Sequence, residues 1–364
     1  MIRRLTSLMT RAARGDELTL AFLGGSITQG ALASTPETCY AFRVFDWFRE
    51  TFPHSVFHFV NGGIGGTNSH YGVSRAVTDV LMYQPDLVIV DFSVNDVHGS
   101  EGFDLTGAAL ESFFAETYEG TLRRLLSWTS APAVLPLCNI QYSDGTTMED
   151  THARIADHYG LPHVSIRDTV YACLMAEKAD LGRITPDGLH PNDAGHALVA
   201  DQVIRLLQEA AVLHACDAPS ALPEPLTPNR YEQAVRLTIR NACPHLEGFR
   251  ADTEEKHGLL DHFKNGWIGR RTGDRIRFDL PDTRTLAVQY RKSVQHPACI
   301  ARLTLDGTRE LVLDSNFQET WGDCLYLDDL LLEDATGQHT VEIVITDDAG
   351  GRALPFYLMS LIVS

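Results

Sequence analysis

The hydrophobic rhythm of the chain changes once, and that change limits what it can fold into. Residues 218–229 (APSALPEPLTPN) hold four prolines and no periodicity, so the stretch reads as a linker. Before it, short apolar runs alternate with helical patterns. The runs at 18–23 (LTLAFL), 56–60 (VFHFV), 86–92 (DLVIVDF), 133–137 and 163–166 read as strands, the second stopping at Asn61-Gly62-Gly63. Between and after them, 42–52, 73–82, 110–128, 148–159 and 193–213 carry apolar residues at helical spacing. Near-continuous apolar strands alternating with helices predict a three-layer α/β/α domain around a parallel sheet. Beyond the linker, the runs at 275–280, 286–290, 301–305, 341–345 and 358–363 are short and often alternate. Turn signals such as Asp306-Gly307 and Thr336-Gly337 separate them, which predicts an antiparallel β-sandwich. The expected boundaries are 1–215 for the α/β domain, 216–230 for the linker and 231–364 for the sandwich.

Charge narrows the partners. With 48 acidic against 30 basic residues, the 364-residue chain has a formal net charge of −18. Nucleic acid and anionic membranes both want clustered Lys and Arg, so neither is an expected partner, and neutral substrates fit best. The basic start (MIRRLTSLMTRAARGDE) lacks the apolar stretch of a signal peptide, and no run of about 18 apolar residues exists to span a membrane. Seven cysteines, an odd number without a C-x-x-C pair, fit a reducing compartment. The expected location is therefore cytoplasmic, and self-association into a homo-oligomer is compatible with this composition.

Four segments fall where a parallel sheet places its ligands, beyond the carboxyl ends of strands. They are Gly24-Gly25-Ser26-Ile27-Thr28, Asn61-Gly62-Gly63-Ile64-Gly65-Gly66-Thr67, Ser93-Val94-Asn95-Asp96, and Asp187-Gly188-Leu189-His190-Pro191-Asn192 before the last helix. Taken singly, each has an ordinary reading. Ser26 would cap a helix, Asn95 would bond its own turn, and Asp187 and His190 would be surface residues. The glycine-rich segment fits neither nucleotide-binding pattern. His190 and His196, with Asp193 between them, match no standard zinc spacing, so no metal is expected. His58, His70 and His163 read as structural or surface residues, and His98 as a residue that could line a pocket.

Taken in order, the four segments resemble the blocks of the SGNH (GDSL-type) hydrolase superfamily over residues 18–207. The resemblance implies a flavodoxin-like α/β fold and serine esterase chemistry. It implies Ser26 as nucleophile, His190 as general base and Asp187 as the carboxylate orienting it. It also implies an oxyanion hole from the backbone N–H groups of Ser26 and Gly66 and the side-chain amide of Asn95. Such chemistry needs no cofactor: imidazole titrates near neutrality and can take the hydroxyl proton, while fixed donors hold the developing charge. The usual Gly-Asp-Ser is here Gly24-Gly25-Ser26, and Ser93 replaces the usual Gly, which points to a branch away from the typical lipases.

The appended β-domain resembles the carbohydrate-binding modules of some bacterial esterases. With the Gly-Gly-Ser-Ile-Thr block, it implies a carbohydrate acetylesterase acting on acetylated small molecules or oligosaccharides. Trp267 and Trp321, in polar glycine-containing contexts, are candidate sugar-stacking residues, with core packing as the other reading. The competing expectations are a lipid esterase or thioesterase on the same machinery, and a carbohydrate-binding protein without catalysis.

Overall fold

A computed structural model describes residues 2–98, 105–212, 221–257, 261–320 and 322–364. They fall into two compact units, one within 1–99 and 106–233, the other within 100–105 and 234–364. Among the described residues no helix is long and apolar enough to cross a membrane.

The first unit is built on strands β1 (Glu17–Gly24), β2 (Val56–Gly63), β3 (Leu87–Asp91), β4 (Ala133–Cys138) and β5 (Val164–Ser165). All neighbours pair in parallel, in the order β2-β1-β3-β4-β5, the flavodoxin-like order the sequence implies. Successive side chains of a strand point to opposite faces, and the core follows that period. Leu20, Phe22 and Ile89 enter one apolar cluster. Ala21, Leu23, Val88 and Val90 enter the other.

Helices α1 (Ile2–Arg14), α2 (Ser26–Gln29), α3 (Tyr40–Thr51), α4 (Ser69–Asp79), α5 (Gly107–Leu126), α6 (Glu149–His158), α7 (Ala172–Glu177) and α8 (Asp193–Val212) complete the unit. The first cluster takes side chains of α1, α3 and α8, the second those of α4, α5 and α6. The sequence reading assigns no element to the basic start, yet it is helical. Leu5, Leu8, Met9 and Ala12 stand at helical spacing on one buried face, and the arginines occupy the rest. Strand β2 also runs on through the glycines expected to end it, because Gly62 and Gly63 pair with Leu23 and Gly24. A Cβ at Gly63 would lie 2.2 Å from the Gln29 nitrogen, so only glycine permits that pairing.

The described part of the proline-rich segment is not a free spacer. Buried Glu119 of α5 accepts the N–H groups of Leu226 (2.7 Å) and Thr227 (2.8 Å) and the Thr227 hydroxyl (2.5 Å). Glu116 accepts the Arg230 backbone N–H (2.6 Å) and its guanidinium (2.9 and 2.8 Å). Arg123 reaches Glu232 and the Pro223 carbonyl, both at 2.8 Å. Composition reads as a linker, but buried carboxylates one helical turn apart on α5 strap the segment down.

The second unit contains β6 (Val235–Leu237), β7 (His245–Glu247), β8 (Arg250–Ala251), β9 (Trp267–Gly269), β10 (Arg275–Lys292), β11 (Ile300–Leu305), β12 (Arg309–Asp314), β13 (Cys324–Asp347) and β14 (Phe356–Val363). It is the antiparallel sandwich that the alternation predicts. Strands β10 and β13 run through both layers. Their 275–280/339–344 pairing lies beside β7 and β11, with β12 outermost, and their 285–292/324–332 pairing lies beside β14. The crossing is at register breaks between Leu280 and Thr285. Strand β14 also carries β9 and β6. The layers close over one core, in which the Trp267 ring meets Phe278 edge-on at 5.2 Å.

Candidate active site

The chain runs from β1 outward to β2 and returns past β1 to β3, leaving a crevice at their carboxyl ends. The first turn into that crevice is Gly24-Gly25-Ser26. The Gly25 N–H donates to the Asp91 carbonyl (3.3 Å), which lays the turn on the end of β3. A Cβ at Gly24 would lie 2.2 Å from Thr28 Oγ1, and one at Gly25 2.2 Å from Asn95 Oδ1. Ser26 opens α2, but the N-cap is Gly25 and no side chain caps the helix. The Ser26 hydroxyl instead donates to His190 Nε2 at 2.8 Å.

The partner imidazole comes from the turn before α8. His190 Nδ1–H donates to Asp187 Oδ2 at 2.7 Å. Asp187 Oδ1 accepts the backbone N–H groups of Leu189 (2.9 Å) and His190 (2.7 Å). Burial pushes the Asp187 carboxyl up, but the His190 ring and these two amides outweigh it and hold it below its ordinary value. Gly188 sits at φ +78°, where a Cβ would come 3.0 Å from the Ser143 Cβ, so the turn requires glycine. Behind it, Asn192 Oδ1 accepts the N–H groups of Ala194 and Gly195 and caps α8. Asp193 accepts from Ser34 N (2.8 Å), Ser34 Oγ (2.5 Å) and Thr38 Oγ1 (2.6 Å), which hold its carboxyl down at about 2.

The glycine-rich loop beyond β2 lies against the same turn. Asn61 Nδ2 donates to the Thr28 carbonyl (2.9 Å), Ile64 N–H to the Gly24 carbonyl (3.0 Å), and Gly65 N–H to Gln29 Oε1 (2.8 Å). A Cβ on Gly65 would stand 3.8 Å from that of Ser26. Gly66 follows at φ +68°. Asn95 reaches the turn from the end of β3, its Oδ1 against Gly25.

A family model for GDSL-like lipases and acylhydrolases matches residues 22–198. A crystal structure of a two-domain esterase (CEX) active on acetylated mannans is 43% identical, with a TM-score of 0.92 over 100% of this chain and 96% of that one. The same description, co-crystallised with mannopentaose, is also 43% identical, with a TM-score of 0.90 over 99% and 94%. No curated protein sequence matches the chain. The chain belongs to the GDSL-like lipase/acylhydrolase family. This GDSL-like chain thus carries the family match on its α/β unit and the structural likeness over its whole length.

Several supports of the GDSL-like site show their partners only in the fold. Arg75 on α4 is fully buried and ties the ends of two strands together. Its guanidinium donates to the carbonyls of Gly62 and Gly24, the latter at 2.8 Å, and pairs with Asp79 at 2.9 Å. Asp91, ending β3, accepts Thr28 Oγ1 (3.3 Å) and Asn139 Nδ2 (2.8 Å). Burial pushes its carboxyl up to about 7, against these hydrogen bonds. Asp96 and His152 form a buried pair at 2.9 Å. Arginine on a helix and aspartate at a strand end are too common for sequence to single these out. Ser93, which departs from the usual glycine, donates its hydroxyl to the Asn139 carbonyl at 2.8 Å.

Other candidates lie elsewhere. Trp267 is 1% exposed in the sandwich core and offers no face to a sugar, because its flanking polar residues are turns around an inward-facing strand position. Trp321 and the His98 side chain lie outside the described residues. His196 uses both ring nitrogens within the fold, Nε2 donating to the Ala31 carbonyl (3.1 Å) and Nδ1 accepting from Tyr40 N (3.3 Å). Among the described residues no group of three or more His, Cys, Asp or Glu could hold a metal ion.

Proposed function

We propose that this chain is a serine esterase that removes acetyl groups from the hydroxyls of oligosaccharides. The observation that carries the reading is the hydrogen-bonded chain from the Ser26 hydroxyl through His190 to Asp187, at the crevice beside β1 and β3. In this mechanism His190 takes the Ser26 proton as Oγ bonds to the ester carbonyl carbon. Asp187 keeps the proton on Nδ1, so Nε2 is free to accept, and stabilises the imidazolium that forms. The carbonyl oxygen becomes an oxyanion, held by the N–H groups of Ser26 and Gly66 and the Asn95 amide. Collapse breaks the ester bond, and the sugar oxygen leaves with the proton from His190. Water, deprotonated by the same imidazole, attacks the acyl-Ser26 carbonyl, and acetate departs as Ser26 regains its proton.

The substrate class rests on full-length similarity, at 43% identity, to an esterase active on acetylated mannans. The test is a panel of acetylated mannan and xylan oligosaccharides, weighed by mass spectrometry before and after treatment, with a p-nitrophenyl ester series beside it. Stepwise loss of acetyl-sized increments, C2 activity far above C8, and loss of both in Ser26→Ala support the reading. Preference for C8, with the oligosaccharides untouched, would make it a lipid esterase.

A further inference from the structure

Apart from His190 and Asp187, the α/β unit holds a carboxylate–imidazole pair whose two side chains are wholly out of solvent. Asp96 and His152 are both fully buried, and His152 Nε2–H donates to Asp96 Oδ2 at 2.9 Å. The His152 ring lies flat on Tyr118, with centroids 3.6 Å apart and planes 1° from parallel, so it has no room to turn. The other oxygen, Asp96 Oδ1, accepts the N–H of Ser69 at 2.8 Å. Ser69 is the first residue of α4, three positions beyond Gly66, and its hydroxyl is fixed in turn by Thr117 at 2.7 Å. Asp96 also follows Asn95 directly, and the backbone N–H groups of both donate to the Phe92 carbonyl at 3.0 Å.

One carboxylate therefore spans two loops that are far apart in sequence. Through its backbone it belongs to the loop presenting the Asn95 amide. Through Oδ1 it holds the exit of the loop presenting the Gly66 N–H. A buried carboxylate–imidazole pair adds little net stability over apolar packing, because both groups lose their hydration. What it supplies here is a fixed distance between two sets of donors. Oxyanion donors act only when preset, and small displacements cost rate.

We infer that Asp96, held by His152, is a positioning residue that sets the spacing between the Asn95 amide and the Gly66 loop, and so governs transition-state stabilisation rather than ground-state binding. This rests on the reading of Ser26 as nucleophile and Asn95 as oxyanion donor.

The experiment is a double-mutant cycle on full-length protein with p-nitrophenyl acetate, comparing Asp96→Ala, Asn95→Ala and the pair, with Asp96→Asn and Ser26→Ala alongside. Removing one oxyanion donor typically lowers kcat by about 10²–10³-fold. Asp96→Ala is expected to lower kcat at least about tenfold with KM within about threefold, and to cost much less in the Asn95→Ala background. Asp96→Asn keeps an acceptor for Ser69 N–H, and His152 can face its amide through the other tautomer, so it is expected to regain most of kcat. Additive losses, an equal rise in KM, or an Asp96→Ala enzyme with unchanged kcat would overturn the inference. If Asp96→Ala does not fold, the cycle is run with His152→Gln, and additivity there overturns it equally. Activity surviving in Ser26→Ala would instead sink the esterase mechanism itself, an outcome separate from these.

Discussion

Gly25 shows how tightly single atoms constrain this site. A methyl group there would lie 2.2 Å from Asn95 Oδ1 and 3.3 Å from the Thr67 carbonyl, so the Asn95 amide would have to move. Gly25→Ala should lower kcat for p-nitrophenyl acetate by roughly ten- to a hundredfold, with KM changed far less. Unaltered kcat would show that Asn95 does not need that position. Asp91 offers a test through pH. Burial raises its carboxyl from 3.8 to about 7, so the folded protein holds that proton to higher pH than the unfolded chain. Ionisation then opposes folding, and stability falls as pH rises between those values. Asn at this position cannot ionise. The stability of Asp91→Asn relative to the parent should climb by up to about 1.4 kcal/mol per pH unit across that window, read by urea unfolding at several pH values. A pH-independent difference would contradict the assignment.

At the scale of elements, what the sequence discloses depends on whether the signal is local. The strands at 18–23, 86–92 and 133–137 are legible because a strand covered on both faces is apolar at nearly every position. Ser26, Asp187, His190 and Asn95 can be picked out because each belongs to a recognisable block. Arg75, Asp91 and His152 cannot, and Asp96 shows in sequence only as the end of the third block, since their roles exist only once β1, β2 and β3 lie side by side. The continuation of β2 through Gly63 depends on Gln29, in another element, and so escapes a local reading. The same holds for β10 and β13, whose crossing between layers is set by pairing rather than pattern. Helix α1 was legible in spacing but hidden by its arginines. Leu8 on its buried face is 2% exposed in the first apolar cluster. Leu8→Ala should cost about 2–5 kcal/mol, seen as a lower Tm, with kcat below the transition unaltered. A loss under 0.5 kcal/mol would mean that α1 is not part of the core.

For the molecule as a whole, the described part of the proline-rich segment is held by contacts that composition does not show. A true spacer would be cut readily by proteases. Here Glu116 and Glu119 hold the backbone N–H groups of Leu226, Thr227 and Arg230. Limited proteolysis should therefore leave 221–233 intact in the parent and cut there first in Glu119→Ala, as read from fragment masses. Rapid cleavage of the parent in this segment would contradict the strap.

The central claim is that Ser26 carries the acyl group. The direct measurement is intact and peptide mass analysis of enzyme quenched during turnover of an acetylated mannan oligosaccharide. An acetyl-sized increment is predicted on the peptide bearing Ser26, transient in the parent and absent in Ser26→Ala, which no longer releases acetate. Steady acetate release by Ser26→Ala, with no increment on that peptide in the parent, would contradict the account.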